Sequence, residues 1–338
     1  MKHYLFIFSG IVSLVLGLGF WPTDHDEVLL NESSTAKLLL SLGDTVMKNK
    51  VPDYHIVGVS AEKGYEIITQ GFTTKPKGGK SGKQSSHFVC TSCHNIERED
   101  PDLLKPNPED RLTYTSEKGI PFLQGTTLFG AVNRETYYNG DYEKKYGDLV
   151  KPARNDIREA IQLCAVECAQ GRELKPWEVE SVLAYLWEID YKIVDLALDK
   201  NDLKLINEAK VNGNTTDAIE MITSLYTPLA KATFTYPPED RQEGYAYEGN
   251  ADNGRLIYEN SCLHCHYRQK YSYLHLDKGK LSKKHLKSKI AGYSRHSIYQ
   301  VIRWGVSSKS GKRSYMPQYT QEKLSDQMVE DLRAYLES

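Results

Sequence analysis

The residues able to do chemistry are six cysteines in three close pairs: Cys90 and Cys93, Cys164 and Cys168, Cys262 and Cys265. The first pair belongs to Cys90-Thr91-Ser92-Cys93-His94. The last belongs to Cys262-Leu263-His264-Cys265-His266. Both show two thiols three positions apart with a histidine directly after the second. Thiols so spaced on one helical turn can each add to a vinyl group of one porphyrin. The adjoining imidazole then faces the iron. This predicts two covalently attached haem c groups, on Cys90 and Cys93 and on Cys262 and Cys265, with His94 and His266 as iron ligands. Disulfides or zinc are the alternative uses of such cysteines. Two identical motifs, each set in the same larger pattern, argue against both.

The sixth iron ligands differ between the halves. Ser314-Tyr315-Met316-Pro317-Gln318 lies between the second motif and the last helix, so Met316 is the candidate for the second haem. A thioether ligand stabilises ferrous iron. His264, His275, His285 and His296 are rivals, and a gap-filling core methionine is the plain alternative. The first half offers neither soft nor imidazole ligand after its motif. No methionine occurs between Met47 and Met221, and no histidine between His94 and His264. The corresponding place holds Cys164-Ala165-Val166-Glu167-Cys168. Superposing the Ala-Tyr-Leu segments of the two halves brings Cys168 near the position of Met316, with Cys164 one helical turn earlier. A thiolate ligand would lower the potential. Two buried core cysteines, or ligation by a lysine, a tyrosine, Met221 or His55, remain open.

The elements that must position these groups form an internal repeat. Ala61 to Ile68 and Asp252 to Tyr258 each predict a glycine-containing helix ahead of a motif. Glu178 to Leu186 and Asp331 to Leu336 predict closing helices, the first led by Pro176 at a position that needs no N–H. Glycine at 64 and 254 suits a close helix crossing. The pattern resembles class I cytochrome c, which implies an all-α chain with two tandem domains of that kind. Boundaries fall at 23–195 for the first domain, 196–248 for a linker with a helix, and 249–338 for the second domain. Lys75 to Ser86, basic and rich in glycine and serine, reads as a mobile loop. Ala36 to Leu40 reads as a short helix packed on the first domain, and Ala232 to Asn250 as an extended stretch.

Leu128-Phe129-Gly130-Ala131-Val132, a tyrosine pair, and Ile161-Gln162-Leu163-Cys164 with Gly171 downstream resemble the first haem domain of dihaem thiosulfate dehydrogenases. They are also similar to the dihaem cytochrome subunit of the sulfur-oxidation complex. The resemblance covers about sixty residues. It implies Cys164 as an axial ligand of a catalytic haem, a small sulfur anion as substrate, and Arg154 or Arg158 as anion contacts. The sequence departs from that pattern at Ala160, where the families place an arginine.

Residues 1–22 open with Lys2 and His3 and continue as an apolar run, which predicts a signal peptide or an N-terminal anchor and hence a periplasmic protein. Membrane contact is expected only if that segment is retained. The 338 residues carry a formal charge of -2, against a nucleic-acid footprint. No phosphate loop, dinucleotide fingerprint or hydrolase triad occurs. The lysines from Lys278 to Lys289 form a basic stretch suited to an acidic redox partner, such as a cytochrome or a terminal oxidase.

Overall fold

A computed structural model describes residues 33–290, 292, 297–307 and 315–338. The predicted leader at 1–22, His296 and Ser314 lie outside them. Among the described residues the chain is helical. The only extended pairing among these residues is three isolated bridges, Ser34 with Lys192, Thr74 with Lys80 and Val306 with Met316.

Two helix crossings organise the chain. In the first, Ala61–Gln70 packs on Pro176–Glu188; in the second, Ala251–Ile257 packs on Asp326–Glu337. The glycines explain both. A Cβ on Gly64 would lie 1.9 Å from the carbonyl oxygen of Ser181, and one on Gly254 would lie 1.9 Å from that of Asp331. In each pair the next contact is a tyrosine Cβ, that of Tyr185 or Tyr335. Only a residue without a side chain lets the backbones approach so closely. The helices start and stop by ordinary capping. Ser60 and Asn250 accept backbone N–H bonds at the starts of the glycine helices, Pro176 opens its helix, and Gly71 closes the first in the left-handed region at φ 76°.

Each crossing anchors a core. The first is built around Ile67, Ile68, Val182, Leu183 and Leu186, and takes in Ala36, Leu38 and Leu39 from the helix Thr35–Ser41. It also takes in Ile206, Ala209, Ala218, Ile222 and Tyr226. Much of 196–248 therefore packs as part of the first core: Lys200–Asn212 and Thr216–Ser224 are helices with apolar faces turned inward. The second core, around Ile257, Tyr299, Met328 and Leu332, takes in Leu112 and Phe122 from the first half. The helix Pro108–Lys118 thus carries the first half onto the second.

The segment from Lys75 to Ser86 departs from the mobile loop expected of it. Ser81, Gln84 and Ser85 are buried. Gln84 Nε2 donates to the carbonyl of Ala165 at 2.6 Å, and Ser85 Oγ to that of Ala169 at 2.6 Å. Composition reported the exposed glycine turn at 78–79 and missed polar side chains that satisfy backbone carbonyls.

Candidate haem-binding site

The first motif sits on a short turn, Cys90–Ser92, followed by Cys93 and His94. The His94 Nδ1–H donates to the carbonyl of Thr126 at 2.7 Å. That bond fixes the tautomer and leaves Nε2 as the free lone pair, the form that ligates a metal. Burial lowers the pKa of this imidazole, which also favours the neutral ring. Gly125 makes the fit possible. Its N–H donates to the Cys93 carbonyl at 3.0 Å, and a Cβ there would lie 2.6 Å from His94 Nδ1.

The second motif repeats this plan. A π-helical turn, Tyr258–Cys262, leads into Leu263–His266. His266 Nδ1 bonds to the carbonyl of Leu274 at 3.2 Å, and the Tyr271 N–H donates to the Cys265 carbonyl at 3.0 Å. The chain needs left-handed backbone at Arg268 and Gln269, φ 53° and 57°, to turn back toward the imidazole. Burial lowers the pKa of His266 as well.

The motif thiols lie where the surrounding protein disfavours the thiolate. Burial pushes Cys90 up to about 11, Cys262 to about 12 and Cys265 to about 11, with Cys93 higher still. Among the described residues no group of three or more His, Cys, Asp or Glu side chains is placed to hold an ion, and all six cysteines are unpaired thiols. The four motif cysteines are half-buried.

The two motifs face one another. Cys93 feels the charge of Cys265, and the His264 imidazole meets the backbone of Thr91 and Ser92. Burial lowers His264 to about 4, so this ring is neutral. Aromatic rings continue the junction. Phe88 lies 5.6 Å from Tyr315 and 6.5 Å from Tyr271, and Tyr271 lies 5.7 Å from His264, between centroids. An open cleft of about 660 Å³ runs along the same seam, between Ile120 and Pro121 on one side and Leu263 and His264 on the other.

Met316 is partly buried and pinned by its backbone, which exchanges hydrogen bonds with Val306 at 2.9 and 3.0 Å. Gly305, at φ 70°, admits the Met316 carbonyl where a Cβ would lie 2.4 Å away. The short loop around Met316 runs between the motifs. Tyr315 senses Cys168, Cys93 and Cys164, while Tyr319 senses Cys262 and Cys265 and bonds Ser261 through its hydroxyl.

Cys164 and Cys168 lie on a second π-helical turn, Cys164–Cys168, which continues the helix Ile157–Leu163. Such turns concentrate at functional sites. The arginines read from sequence lie in other company. Arg158 is committed to Glu180, through Nε at 2.6 Å and a terminal nitrogen at 2.9 Å, and to the carbonyls of Asn49 and Val51. Arg154 is half-exposed and pairs with Glu143 at 3.5 Å.

One group escaped the sequence reading. Glu99 is fully buried and accepts from Lys323 at 3.1 Å, Thr127 at 3.0 Å and Asn95 at 3.0 Å, with Arg111 at 3.4 Å. Arg111 also donates to the carbonyl of Lys323 at 3.0 Å. Asn95 follows His94, Thr127 follows Thr126, and Lys323 follows the Met316 loop. The cluster therefore clamps the two motif-bearing halves together. A lone glutamate and a lysine 224 positions away leave no signal in the sequence.

Fold and residues together define a c-type cytochrome domain in the second half, a class that binds haem c covalently and passes electrons to redox partners. Residues 249–336 match the profile of the family described as cytochrome c oxidase, cbb3-type, subunit III, which covers roughly a quarter of the chain. No curated protein and no solved structure matches the chain. Among the described residues no helix is long and apolar enough to cross a membrane.

Proposed function

We infer that this chain is a dihaem c-type cytochrome of the periplasm that moves electrons between redox partner proteins, such as other cytochromes or a terminal oxidase. One observation carries the reading: the motif at 90–94 repeats the design of the motif at 262–266. Each has a histidine whose Nδ1 is tied to a backbone carbonyl and whose Nε2 is left for iron. Haem iron supplies one-electron redox chemistry. The chain attaches the macrocycles through Cys90, Cys93, Cys262 and Cys265 and orients them through His94 and His266. Met316 serves the second haem, and a sulfur of the Cys164–Cys168 turn the first. The resemblance to the first haem domain of dihaem thiosulfate dehydrogenases favours Cys164 for that role. With a thiolate on the first and a thioether on the second, electrons run from the first haem to the second. Haem count tests the reading. Mass spectrometry of denatured protein should find two covalent haems, and a redox titration two one-electron waves. A single haem in fully matured protein would refute it.

The cysteine turn favours a second reading, an oxidoreductase acting on a small sulfur oxyanion such as thiosulfate, with the first haem at the catalytic site. Arg154 keeps the more open guanidinium of the two anion-contact candidates. Turnover with thiosulfate and an artificial acceptor tests it, and no oxidation at any pH sinks it. The matched family's description favours a third reading, a subunit of a membrane respiratory complex. Co-purification with membrane subunits in mild detergent tests that one.

A further inference from the structure

The basic loop ahead of the first motif is held in one place. Its stem is closed by short bonds. The Ser81 N–H donates to the Thr73 carbonyl at 2.7 Å, the Thr73 N–H to Ser81 Oγ at 3.0 Å, and the Gln84 N–H to the Gly71 carbonyl at 2.7 Å. Nearer the tip, the Lys75 N–H donates to the Gly79 carbonyl at 2.8 Å. Pro76 packs on Gly58 so closely that a Cβ there would lie 2.3 Å from Pro76 Cγ. Four lysines ride on this frame, Lys75, Lys77, Lys80 and Lys83, and all four are exposed.

No carboxylate answers these charges. Residues 71–96 contain no aspartate and no glutamate. Among the described residues the lysines in ion pairs stand elsewhere in the chain. Lys80 is placed over the Phe72 ring instead, 3.5 Å from its centroid. Ordering a segment costs conformational entropy, and gathering like charges adds repulsion. The chain as a whole carries a formal charge of only -2, so the concentration is local. The lysines from Lys278 to Lys289 differ in this respect. Lys278 pairs with Glu259 at 2.7 Å, and Lys283 and Lys287 donate to Ser338 Oγ and the Glu337 carbonyl, each at 2.9 Å. The loop also belongs to the first motif. Gln84 and Ser85, at its end, bond the carbonyls of Ala165 and Ala169, and Arg172 donates to the Gly82 carbonyl at 2.8 Å. Ser85 Oγ accepts from the Phe88 N–H at 3.3 Å, and Cys90 follows directly.

We propose that the loop carrying Lys75, Lys77, Lys80 and Lys83 is the docking surface for an acidic one-electron donor protein, which delivers its electron to the first haem. This rests on the dihaem reading above. Carboxylates of the donor supply the countercharge that the loop lacks in its own chain. In the step itself the donor loses one electron and the ferric iron of the first haem becomes ferrous, with no bond made or broken in this chain. A charged patch of this kind acts at long range, speeding the encounter and aiming it at the first motif, and salt screens it. Because the frame is held by backbone bonds and buried serines, the lysines meet the donor in a fixed arrangement and lose little freedom on docking.

The test is stopped-flow reduction of the oxidised two-haem protein by an acidic flavodoxin in its hydroquinone form, across a range of salt. Two variants that each remove three charges are compared with wild type. K75Q/K77Q/K83Q strips the loop but keeps Lys80 on Phe72, and K280Q/K284Q/K289Q strips the other basic stretch. Thermal unfolding should be the same for all three proteins, since the loop substitutions fall on exposed side chains. The bimolecular rate of wild type should fall steeply as salt rises. At low salt the loop variant should be about tenfold slower or more and should lose most of the salt dependence, while the second variant keeps both. A loop variant as fast as wild type, or equal slowing in the two variants, overturns the proposal. Binding to vesicles of phosphatidylglycerol and phosphatidylcholine that disappears in the loop variant while its reduction rate is unchanged also overturns it, and makes the loop a membrane contact. Covalent haem count on the same samples keeps the two levels apart: a single haem refutes the dihaem reading itself, whatever the rates.

Discussion

Replacing Lys323 with methionine removes the cation that reaches Glu99 from the second half. Burial by itself would raise the Glu99 pKa, but Lys323, Arg111 and the hydrogen bonds from Asn95 and Thr127 outweigh it and hold the carboxyl at about 2 instead of 4.5. At about 1.4 kcal/mol per unit, the ionised form in the folded chain is favoured by roughly 3 kcal/mol. Lys323 gains less, because its own burial outweighs its attraction to Glu99 and lowers its pKa. Removing one partner of a buried pair typically costs about 3–5 kcal/mol. Arg111 remains at 3.4 Å, so the low end, about 3 kcal/mol, is expected at neutral pH. The sign with pH follows from the depressed pKa. The stabilisation is fully present above the ordinary value of 4.5 and fades as pH falls toward 2. Urea unfolding of Lys323→Met and wild type, compared at pH 7 and again near pH 3, should show a gap that shrinks by more than half in acid. A gap equal at the two pH values, or one of about 0.5 kcal/mol at pH 7 as for an exposed pair, would refute the reasoning.

Gly254→Ala places a methyl 1.9 Å from the Asp331 carbonyl oxygen and should destabilise the second half by about 3 kcal/mol or more. Thermal unfolding and loss of haem on maturation measure it, and Gly64→Ala should do the same to the first half. Cys262→Ser together with Cys265→Ser should lower the covalent haem count from two to one by denaturing mass spectrometry, the first haem keeping its spectrum. Met316→Ala should leave the helix content unchanged by circular dichroism, because Val306 holds the Met316 backbone and not its side chain. The more positive redox wave should shift downward as the thioether is lost.

What could be read from sequence followed from local physics. The glycine helices announced themselves because a crossing tight enough to exclude a Cβ leaves glycine as the permitted residue, and 64 and 254 sit at matching places in two similar segments. The proline at 176 and the caps at Ser60 and Asn250 are equally local signals. The junction was not legible. Nothing in the composition of Pro108–Lys118 says that Leu112 will enter the second core, and nothing near Glu99 says that Lys323 will meet it. The loop at 75–86 misled for a related reason. Its glycines and serines read as freedom, whereas Ser85 and Gln84 are the side chains that hold the 165–169 turn. Charge alone likewise does not announce that Arg158 closes a bond with Glu180.

The position of the clamp bears on why the motifs face each other at all. On the dihaem reading inferred above, a relay between two attached macrocycles demands that their edges stay close. Helix crossings cannot ensure this, because each is complete within its own half. The junction has to do it. Glu99 is bonded by Asn95 and Thr127, whose chain neighbours are His94 and the carbonyl partner of His94, and by Lys323, which lies between Met316 and the last helix. Loosening it therefore moves the His94 imidazole and the Met316 loop together. The same argument separates the roles of two residues at the seam. Lys323→Met should alter stability and inter-haem transfer together. His264→Phe, which touches Thr91 and Ser92 but not the clamp, should slow transfer between the haems while leaving the acid limb of the stability curve unchanged. Flash reduction of one haem, followed by the spectral signature of the other, measures the first quantity. A variant at 264 that unfolds in acid with an altered pH dependence would place the coupling elsewhere than in the clamp.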